Sequence, residues 1–476
     1  MTLEKNSTTA KNRLDPEARP GWGERIGLGL NAFGLNAVFI AATSFLLIYL
    51  TNVALLDIAA ISLIIGVSKF FDGVSDLIVG NIIDHTESRL GKARIWLLRM
   101  CLPFAVSTLL LFYVPTSWPE TVKYIYVFIV YNLTITGFYT FLSLSNQSLV
   151  NLMTLNRDEQ GALGYIRMFF IQLAGIFVTA SFVRILTVFS NSTDTPYTQR
   201  GFTVTIALLC GVMVATSLIG VFSVRERVTD NLSKGADNSE KIPAGAVLRA
   251  LFGNKYWVFM FLITVVSNIA VQIVFVSTTY FTTYVLQDPS AMSWMMPFRL
   301  FPSLVTTPFA ILLLKKVDRK WLFCLGGLMS ALCQAGIGLT TPDRVSISVF
   351  LLFAGIAAGF YAGAAFGLTA DTILYTHYRS GIYTAGMGNA GITAANKIGT
   401  GLATALFGFL MSAAGFNAAN DLQHIPQPDT AIMAAKWSYT FIPAILYLVV
   451  AILVACFYHL DRELKKSSKA EQEAQQ

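Results

Sequence analysis

The chain has 476 residues, of which 54% are hydrophobic and only 13% are charged, with a formal net charge of +7. Soluble proteins carry about 25% charged residues, so this chain has too little polar side-chain surface for a water-soluble globule of its size. The five cysteines lie in apolar runs and form no CxxC pair, which argues against a disulfide framework or a thiolate metal site. The composition therefore predicts a protein whose main solvent is lipid.

Twelve apolar segments follow one another along the chain, and each is long enough to cross a bilayer as a helix, which takes about 20 residues. They lie at about 26–50, 57–83, 95–115, 121–149, 161–187, 201–224, 254–283, 291–314, 321–341, 345–373, 385–415 and 434–459. The first segment is too long for the apolar part of a signal peptide, so we expect it to remain as a helix. The pattern predicts an all-α membrane protein with twelve transmembrane helices.

The distribution of Lys and Arg predicts the orientation of these helices. The two tails and every second loop contain 24 of the 34 Lys and Arg residues, whereas the remaining loops contain only Lys123, Arg200 and Arg344. Cytoplasmic loops carry the excess of positive charge in membrane proteins. We therefore expect both termini in the cytoplasm of a cell inner membrane, and we attribute the net charge to topology rather than to binding of nucleic acid.

A long polar loop divides the segments into two groups of six. We expect a cytoplasmic N-terminal tail at 1–25, an N-terminal six-helix bundle at 26–224, a cytoplasmic central loop at 225–253, a C-terminal six-helix bundle at 254–460 and a cytoplasmic tail at 461–476. Each half also has a basic loop after its second helix. Two related six-helix bundles around a site at the membrane midplane are the layout of the major facilitator fold.

The second segment carries two carboxylates at the depth of the membrane. Asp72 and Asp76 are spaced i, i+4, so both side chains lie on one face of a helix. Adjacent carboxylates in a low dielectric repel each other, and each is costly to bury. A bound monovalent cation or a shared proton relieves both costs. A structural ion pair with Lys69 is the alternative, although one lysine cannot neutralise both acids.

Further charges lie within or beside the apolar segments. Arg167 and Lys397 are deep, one in each half, and either contact substrate or pair with the two aspartates. Asp371 is read as a gating or loop-anchoring residue. Four other basic residues lie near segment ends, from which they are expected to snorkel to the interface: Arg99, Arg184, Arg299 and Lys436.

The end of the second segment and the loop after it form a compact helix–loop–helix signature of glycines and charged residues, namely Gly80, Asp84, Arg89, Gly91, Lys92 and Arg94. We interpret it as a cytoplasmic latch in which Gly80 permits a close helix approach; a solvated run of charge is the alternative. The chain has no Walker loop, HExxH, GxSxG or dinucleotide motif in a plausible context. These observations argue against an ATP-driven pump, against an enzyme and against a cofactor.

The stretch Asp72-x3-Asp76-x3-Gly80-x3-Asp84, continued by Arg89-Leu-Gly91-Lys92-Ala-Arg94, resembles the signature of the glycoside–pentoside–hexuronide:cation symporters. This is the melibiose-permease branch of the major facilitator superfamily, and the similarity extends across all twelve segments. The resemblance implies secondary active symport of a sugar with Na+, Li+ or H+ by a monomer embedded in the bilayer.

The resemblance also implies roles for single residues. The cation site, which is a metal site if the ion is Na+, would comprise Asp72, Asp76, Ser75 and Thr140. The positions matching the sugar pocket include Tyr139, Arg167, Thr393 and Lys397. Melibiose-type carriers have aspartates on helices one and four and an aromatic residue on helix four, where this chain has Asn36, Ser143 and Gln147. The resemblance thus implies that the aspartates of the cation site are kept, whereas several residues of the sugar pocket are replaced.

The loss of two pocket carboxylates, with Arg167 and Lys397 kept, makes the predicted cavity more positive. An acidic sugar such as a uronide is therefore one hypothesis for the substrate, and a neutral pentoside or oligosaccharide is the alternative. A carrier with the same fold for a lysolipid or an organic acid is a second class of function. The polar residues Asn36, Ser143 and Asn396 favour a polar ligand over a lipid.

Overall fold

The computed structural model describes residues 19–154, 156–190, 197–227, 244–313, 317–341, 343–380, 385–418, 420 and 425–460. Over these residues the secondary structure consists of helices and contains no strand. Most of the predicted tails and much of the predicted central loop lie outside the described residues.

Except for the short α7, which lies within the predicted central loop, each helix overlaps a predicted apolar segment. The first half contains α1 (Trp22–Asn52), α2 (Ile58–Asp84), α3 (Arg94–Leu111), α4 (Glu120–Met153), α5 (Arg157–Phe189) and α6 (Gln199–Ser223). The second half contains a short α7 (Ala244–Phe252), α8 (Lys255–Val285), α9 (Met292–Leu313), α10 (Arg319–Leu339), α11 (Arg344–Ser380), α12 (Ala385–Ala413), α13 (Asp429–Tyr439) and α14 (Phe441–Phe457). The last predicted segment is divided at Thr440 into α13 and α14.

Nine helical stretches within the described residues are long and apolar enough to cross a membrane. These stretches make the protein an all-helical membrane protein, as predicted.

The chain forms two compact units, one made of Met1–Leu46 with Val74–Glu240 and the other of Leu47–Gly73 with Lys241–Gln476. This division differs from the predicted bundles for residues 47–73, because the start of α2 packs on α12. A methyl group added to Gly66 would lie 2.9 Å from the carbonyl oxygen of Gly401, and one added to Gly401 would lie 2.7 Å from that of Gly66. Backbones approach this closely only where neither residue has a Cβ.

Two helices contain π-helical stretches that the sequence did not predict. Residues Asn132–Tyr139 form one in the middle of α4, and Phe281–Val285 form another at the end of α8. A π-helical stretch shifts the hydrogen-bond register by one residue, and such stretches are frequent at functional sites. In the first unit this shift falls directly before Thr140, one of the residues expected to bind the cation.

The second unit has a buried apolar cluster that joins α8, α9, α10, α11 and α13. Its members include Val274, Met295, Ile337, Leu351 and Tyr439. Arg299 of α9 lies within the same unit and is 6% exposed. The expectation that Arg299 snorkels to the interface is therefore wrong, because the surrounding helices bury its side chain.

Candidate functional site

In the second unit, Asp72 and Lys69 form a buried ion pair on α2. The Lys69 Nζ and Asp72 Oδ2 atoms are 3.1 Å apart, and each side chain is 6% exposed. The spacing i, i+3 on a helix brings the two side chains together without help from another element. The structural pair that the sequence left as an alternative is therefore present in this structure.

A second ammonium group, from α12, contacts the backbone of Asp72. Lys397 Nζ donates a hydrogen bond to the backbone carbonyl oxygen of Asp72, at 3.0 Å. The close crossing of Gly66 and Gly401 sets α12 against α2 one turn away and makes this reach possible. Thr393 is exposed one turn before Lys397, and its hydroxyl donates to the carbonyl of Asn389. Two ammonium groups thus converge on Asp72, which concentrates positive charge there.

In the first unit, the next turn of α2 meets the π-helical stretch of α4. Ser75 Oγ donates to the carbonyl oxygen of Thr136 at 2.8 Å. Thr140 is buried, and its hydroxyl donates at 3.3 Å to the carbonyl of Ile135, five residues earlier. Asp76 is half-buried next to Ser75. The shifted register of α4 therefore presents backbone and hydroxyl oxygens, which are the ligand type that hard cations prefer.

Asn36 and Tyr139 form a polar and aromatic platform in the first unit. The Tyr139 hydroxyl donates to Asn36 Oδ1 at 3.2 Å, and Asn36 Nδ2 donates to the carbonyl of Ala32 at 2.8 Å. The Tyr139 ring stacks on Phe39 with centroids 4.2 Å apart and is flanked by Phe104. Aromatic faces with nearby amide and hydroxyl groups suit a sugar, which has both apolar C–H faces and hydroxyls.

Arg167 is held by two asparagines that the sequence analysis did not select. Its Nε donates to Asn146 Oδ1 at 2.8 Å, and Asn146 Nδ2 donates to Asn31 Oδ1 at 2.7 Å. Asn146 is 1% exposed and Asn31 is fully buried. Their presence in apolar segments was a signal that could have found them. Ser143 is half-buried and Gln147 is exposed on the same helix, α4.

The substitution Asn146→Ala should lower the apparent affinity for substrate about tenfold while leaving cation binding unchanged. It removes the acceptor that orients the guanidinium, and a hydrogen bond to a charged group contributes about 1.5–3 kcal/mol. Uptake kinetics and cation-dependent thermal unfolding measure the two effects. Asn146→Asp is the matched variant, because it keeps an acceptor for Arg167 and should retain most of the affinity. Equal losses in both variants would contradict an orienting role.

The loop predicted to be a latch is contacted by an acidic residue that the sequence analysis missed. Glu226, three residues beyond α6, accepts backbone hydrogen bonds from Lys92, Ala93 and Arg94 at 2.7, 3.2 and 2.9 Å. The carboxylate thereby caps the N-terminus of α3, where the helix dipole favours negative charge. Burial raises the pKa of Glu226, and the three N–H donors and Arg94 oppose this shift.

Gly91 adopts φ +113°, a conformation that favours glycine, and an added Cβ would lie 2.4 Å from the Glu226 carboxyl carbon. Arg94 fixes the other side of the turn by donating to the carbonyls of Val221 and Leu90. Lys92 is partly buried and Arg89 is exposed. These hydrogen bonds hold the backbone of the basic loop in one conformation. The loop is therefore not merely a solvated run of charge.

Two expectations for the latch differ from the structure or lie beyond it. A methyl group added to Gly80 would meet no atom of the described residues within 4 Å, so the expected close helix approach is wrong at this position. The Asp84 side chain lies outside the described part of the chain. In the second unit, Arg319 contacts the Asp371 carboxylate and donates to the carbonyl of Gly367 at 3.3 Å. A role for Asp371 in gating stays a prediction.

Long apolar helices that carry the buried Lys69–Asp72 pair on α2 and the half-buried Lys397 on α12 are typical of a membrane transporter. The family model described as MFS/sugar transport protein matches residues 27–462. The chain belongs to this family of the major facilitator superfamily. The resemblance inferred from the α2 signature is confirmed by this match and by the relatives.

Three relatives align over nearly their whole length. An uncharacterized symporter, YnaJ, of Bacillus subtilis is 28% identical, with 94% of each chain covered. The isoprimeverose transporter of Lactiplantibacillus pentosus is 25% identical, with 93% of this chain and 89% of the relative covered. A glucuronide carrier protein homolog of Escherichia coli is 24% identical, with 94% of each covered.

The fold is also found among solved structures. A bacterial homolog of the human lysosomal transporter Spinster matches with a TM-score of 0.68 and 13% identity, covering 94% of this chain and 97% of that one. At this identity the match shows the fold alone, which is that of the major facilitator superfamily. The predicted all-helical major facilitator fold is confirmed, and with the family match the chain is a multi-pass transporter of the cytoplasmic membrane, not an enzyme. The count of twelve spans and the cytoplasmic termini stay predictions.

Proposed function

We propose that this protein carries a sugar or glycoside into the cell together with a monovalent cation, Na+, Li+ or H+. The single observation that carries the proposal is the buried Lys69–Asp72 pair, with Lys397 on the Asp72 carbonyl at 3.0 Å. A buried carboxylate paired with one ammonium group, that of Lys69, is a charge site whose partner can be exchanged for a cation. Asp76 lies one turn further along the same helix and supplies the second carboxylate.

Coupling follows from the charges on α2. A bound cation attracts Asp72 and Asp76, offsets their mutual repulsion and competes with the Lys69 ammonium for Asp72. The Lys69 and Lys397 ammonium groups then have less negative charge beside them, so they attract polar or anionic substrate groups more strongly. Linkage requires that substrate binding strengthens cation binding by the same factor. Transport then proceeds by alternating access.

The substrate class follows from the first unit. The Asn36–Tyr139 platform offers neutral hydrogen-bonding groups and an aromatic face, and Arg167 offers an oriented cationic donor. An arginine pairs with a carboxylate in a bidentate manner, which suits an acidic sugar such as a uronide. The glucuronide carrier homolog among the relatives supports an acidic sugar, and the isoprimeverose transporter supports a neutral glycoside. We propose that both are accepted, with the acidic sugar preferred.

We further propose twelve membrane spans in two bundles, 26–224 and 254–460, with both termini in the cytoplasm and a monomer as the functional unit. The excess of Lys and Arg in alternate loops supports this topology. Gly91, Arg94 and Glu226 would then act on the cytoplasmic side as a fixed latch, and Arg319 with Asp371 as its counterpart in the second half.

Uptake of labelled sugars into vesicles tests the proposal, with and without a Na+ or H+ gradient. We expect gradient-driven accumulation in the native protein and loss of that accumulation in Asp76→Asn, which removes one cation-binding carboxylate and keeps the size of the side chain. The panel compares uronides with neutral glycosides as competitors. Competition by neutral glycosides alone would overturn the acidic preference. No accumulation of any sugar would favour the organic-acid carrier.

A further inference from the structure

Arg299 is a buried cation in the interior of the second unit. It lies two turns into α9, is 6% exposed, and its Nη1 has no hydrogen-bond partner among the residues that the structure describes. The guanidinium lies 6.0 Å from the ring centroid of Phe275 on α8. A guanidinium stays protonated in proteins, so burial cannot be relieved by loss of the proton. Its charge therefore needs a compensating group.

The polar side chains recorded near Arg299 are two tyrosines and a cysteine, and none of them is a carboxylate. Tyr447 lies within hydrogen-bonding reach of the guanidinium, from which its hydroxyl oxygen accepts, and Tyr439 and Cys333 lie within electrostatic range of it. Tyr439 is 0% exposed, and its hydroxyl has no hydrogen-bond partner among the described residues. A buried hydroxyl without a hydrogen-bond partner costs free energy of folding. The Tyr439 hydroxyl is therefore a second buried polar group near Arg299 that lacks a partner among the described residues.

Gln334 on α10 is a third buried polar group of the second unit. It is 1% exposed, and neither its amide nitrogen nor its amide oxygen has a hydrogen-bond partner among the described residues. It precedes by one helical turn Ile337, which packs with Tyr439 in the apolar cluster that joins α8 to α13. Residues three apart on a helix lie on one face. Gln334 therefore shares a helix face with a residue that packs in the same cluster as Tyr439.

The charge balance of the second unit points to an anion. The ion pairs given by the described residues of this unit are Lys69–Asp72 and Arg319–Asp371, and neither includes Arg299. Burying an unpaired charge is unfavourable unless a counter-charge is bound beside it. The apolar shell of Val274, Met295 and Ile337 excludes a large polar ligand. One guanidinium with neutral donors suits a small monovalent anion.

We propose that Arg299, Tyr439 and Gln334 form a binding site for a small inorganic anion, of which chloride is the representative, inside the second unit. The guanidinium supplies the counter-charge, and the phenol and amide donate hydrogen bonds. This site is separate from the residues proposed for transport on α2 and α12, so it does not depend on the proposed function. Its occupancy would stabilise the packing of α9, α10 and α13.

Thermal unfolding of the purified full-length protein tests the site. The sodium concentration and ionic strength stay constant while gluconate is replaced by chloride or bromide. We expect the Tm to rise with halide in a saturable manner for the native protein. Arg299→Gln should abolish the rise. Arg344→Gln is the matched control, because Arg344 is an exposed arginine of the same unit, over Trp294, and should keep it.

Tyr439→Phe keeps the ring that stacks on Phe281 and removes only the hydroxyl. It should weaken the apparent halide affinity about tenfold, as expected for the loss of one hydrogen bond to a charged group. This variant decides the question if Arg299→Gln does not fold. A native Tm that is independent of halide, or a halide effect that is unchanged in every folded variant, would overturn the proposal. The polar groups of Arg299, Tyr439 and Gln334 would then be satisfied by bound water instead.

Discussion

Replacing Lys69 by Met is expected to make the stability of the protein depend strongly on the coupling cation. Methionine fills a similar volume, so the main loss is the ammonium group 3.1 Å from the Asp72 carboxylate. Removing one partner of a buried ion pair costs about 3–5 kcal/mol, because the other charge stays buried. In cation-free buffer the Tm should therefore fall sharply. Saturating Na+ or Li+, or acidification if the proton is the coupling ion, should restore most of the loss.

The double variant Lys69→Met with Asp72→Asn provides the control for this result. It removes both charges, so its Tm should be close to the native value and should respond only weakly to cations. Replacement of a buried pair by neutral groups is often tolerated. If the single variant loses the same stability with and without cations, then Asp72 forms a structural ion pair with Lys69 and does not bind the cation. The cation would have to bind elsewhere.

The substitution Gly91→Ala is expected to destabilise the cytoplasmic latch by at least about 2 kcal/mol. The left-handed backbone conformation costs a residue with a Cβ about 1–2 kcal/mol. The new methyl group would also displace the Glu226 carboxyl group, which lies within 3 Å of its position, from the N-terminus of α3. Loss of a helix cap adds about 1 kcal/mol. Thermal unfolding and initial rates of uptake measure the effect on stability and on transport.

Gly80→Ala is the matched control within the same signature. Gly80 lies inside α2, and within the described part of the chain an added methyl group meets no atom closer than 4 Å. Alanine in a helix interior is favoured over glycine by about 0.5–1 kcal/mol, so this variant should be as stable as the native protein or slightly more stable. If the two variants lose stability equally, the latch around Gly91 and Glu226 does not form in the membrane.

Local patterns in the sequence were sufficient for the fold class and for the location of the charged helix. Helix length, apolar runs and the distribution of Lys and Arg depend on nearby residues only, and the spacing of Asp72 and Asp76 fixes a shared helix face without any tertiary contact. The family signature is likewise a continuous stretch of chain. These features predicted the major facilitator fold, the transporter class and the candidate cation residues.

Only the tertiary structure decided which side chains pair with one another. Asn146 meets Asn31 across 115 residues, Glu226 caps α3 from 134 residues away, and Lys397 reaches Asp72 across 325. Membrane helices are apolar on most faces, so hydrophobic periodicity does not reveal which face is buried. Packing of small residues and interhelical hydrogen bonds selects the partners instead. The same physics buried Arg299, which sequence position alone placed near a helix end.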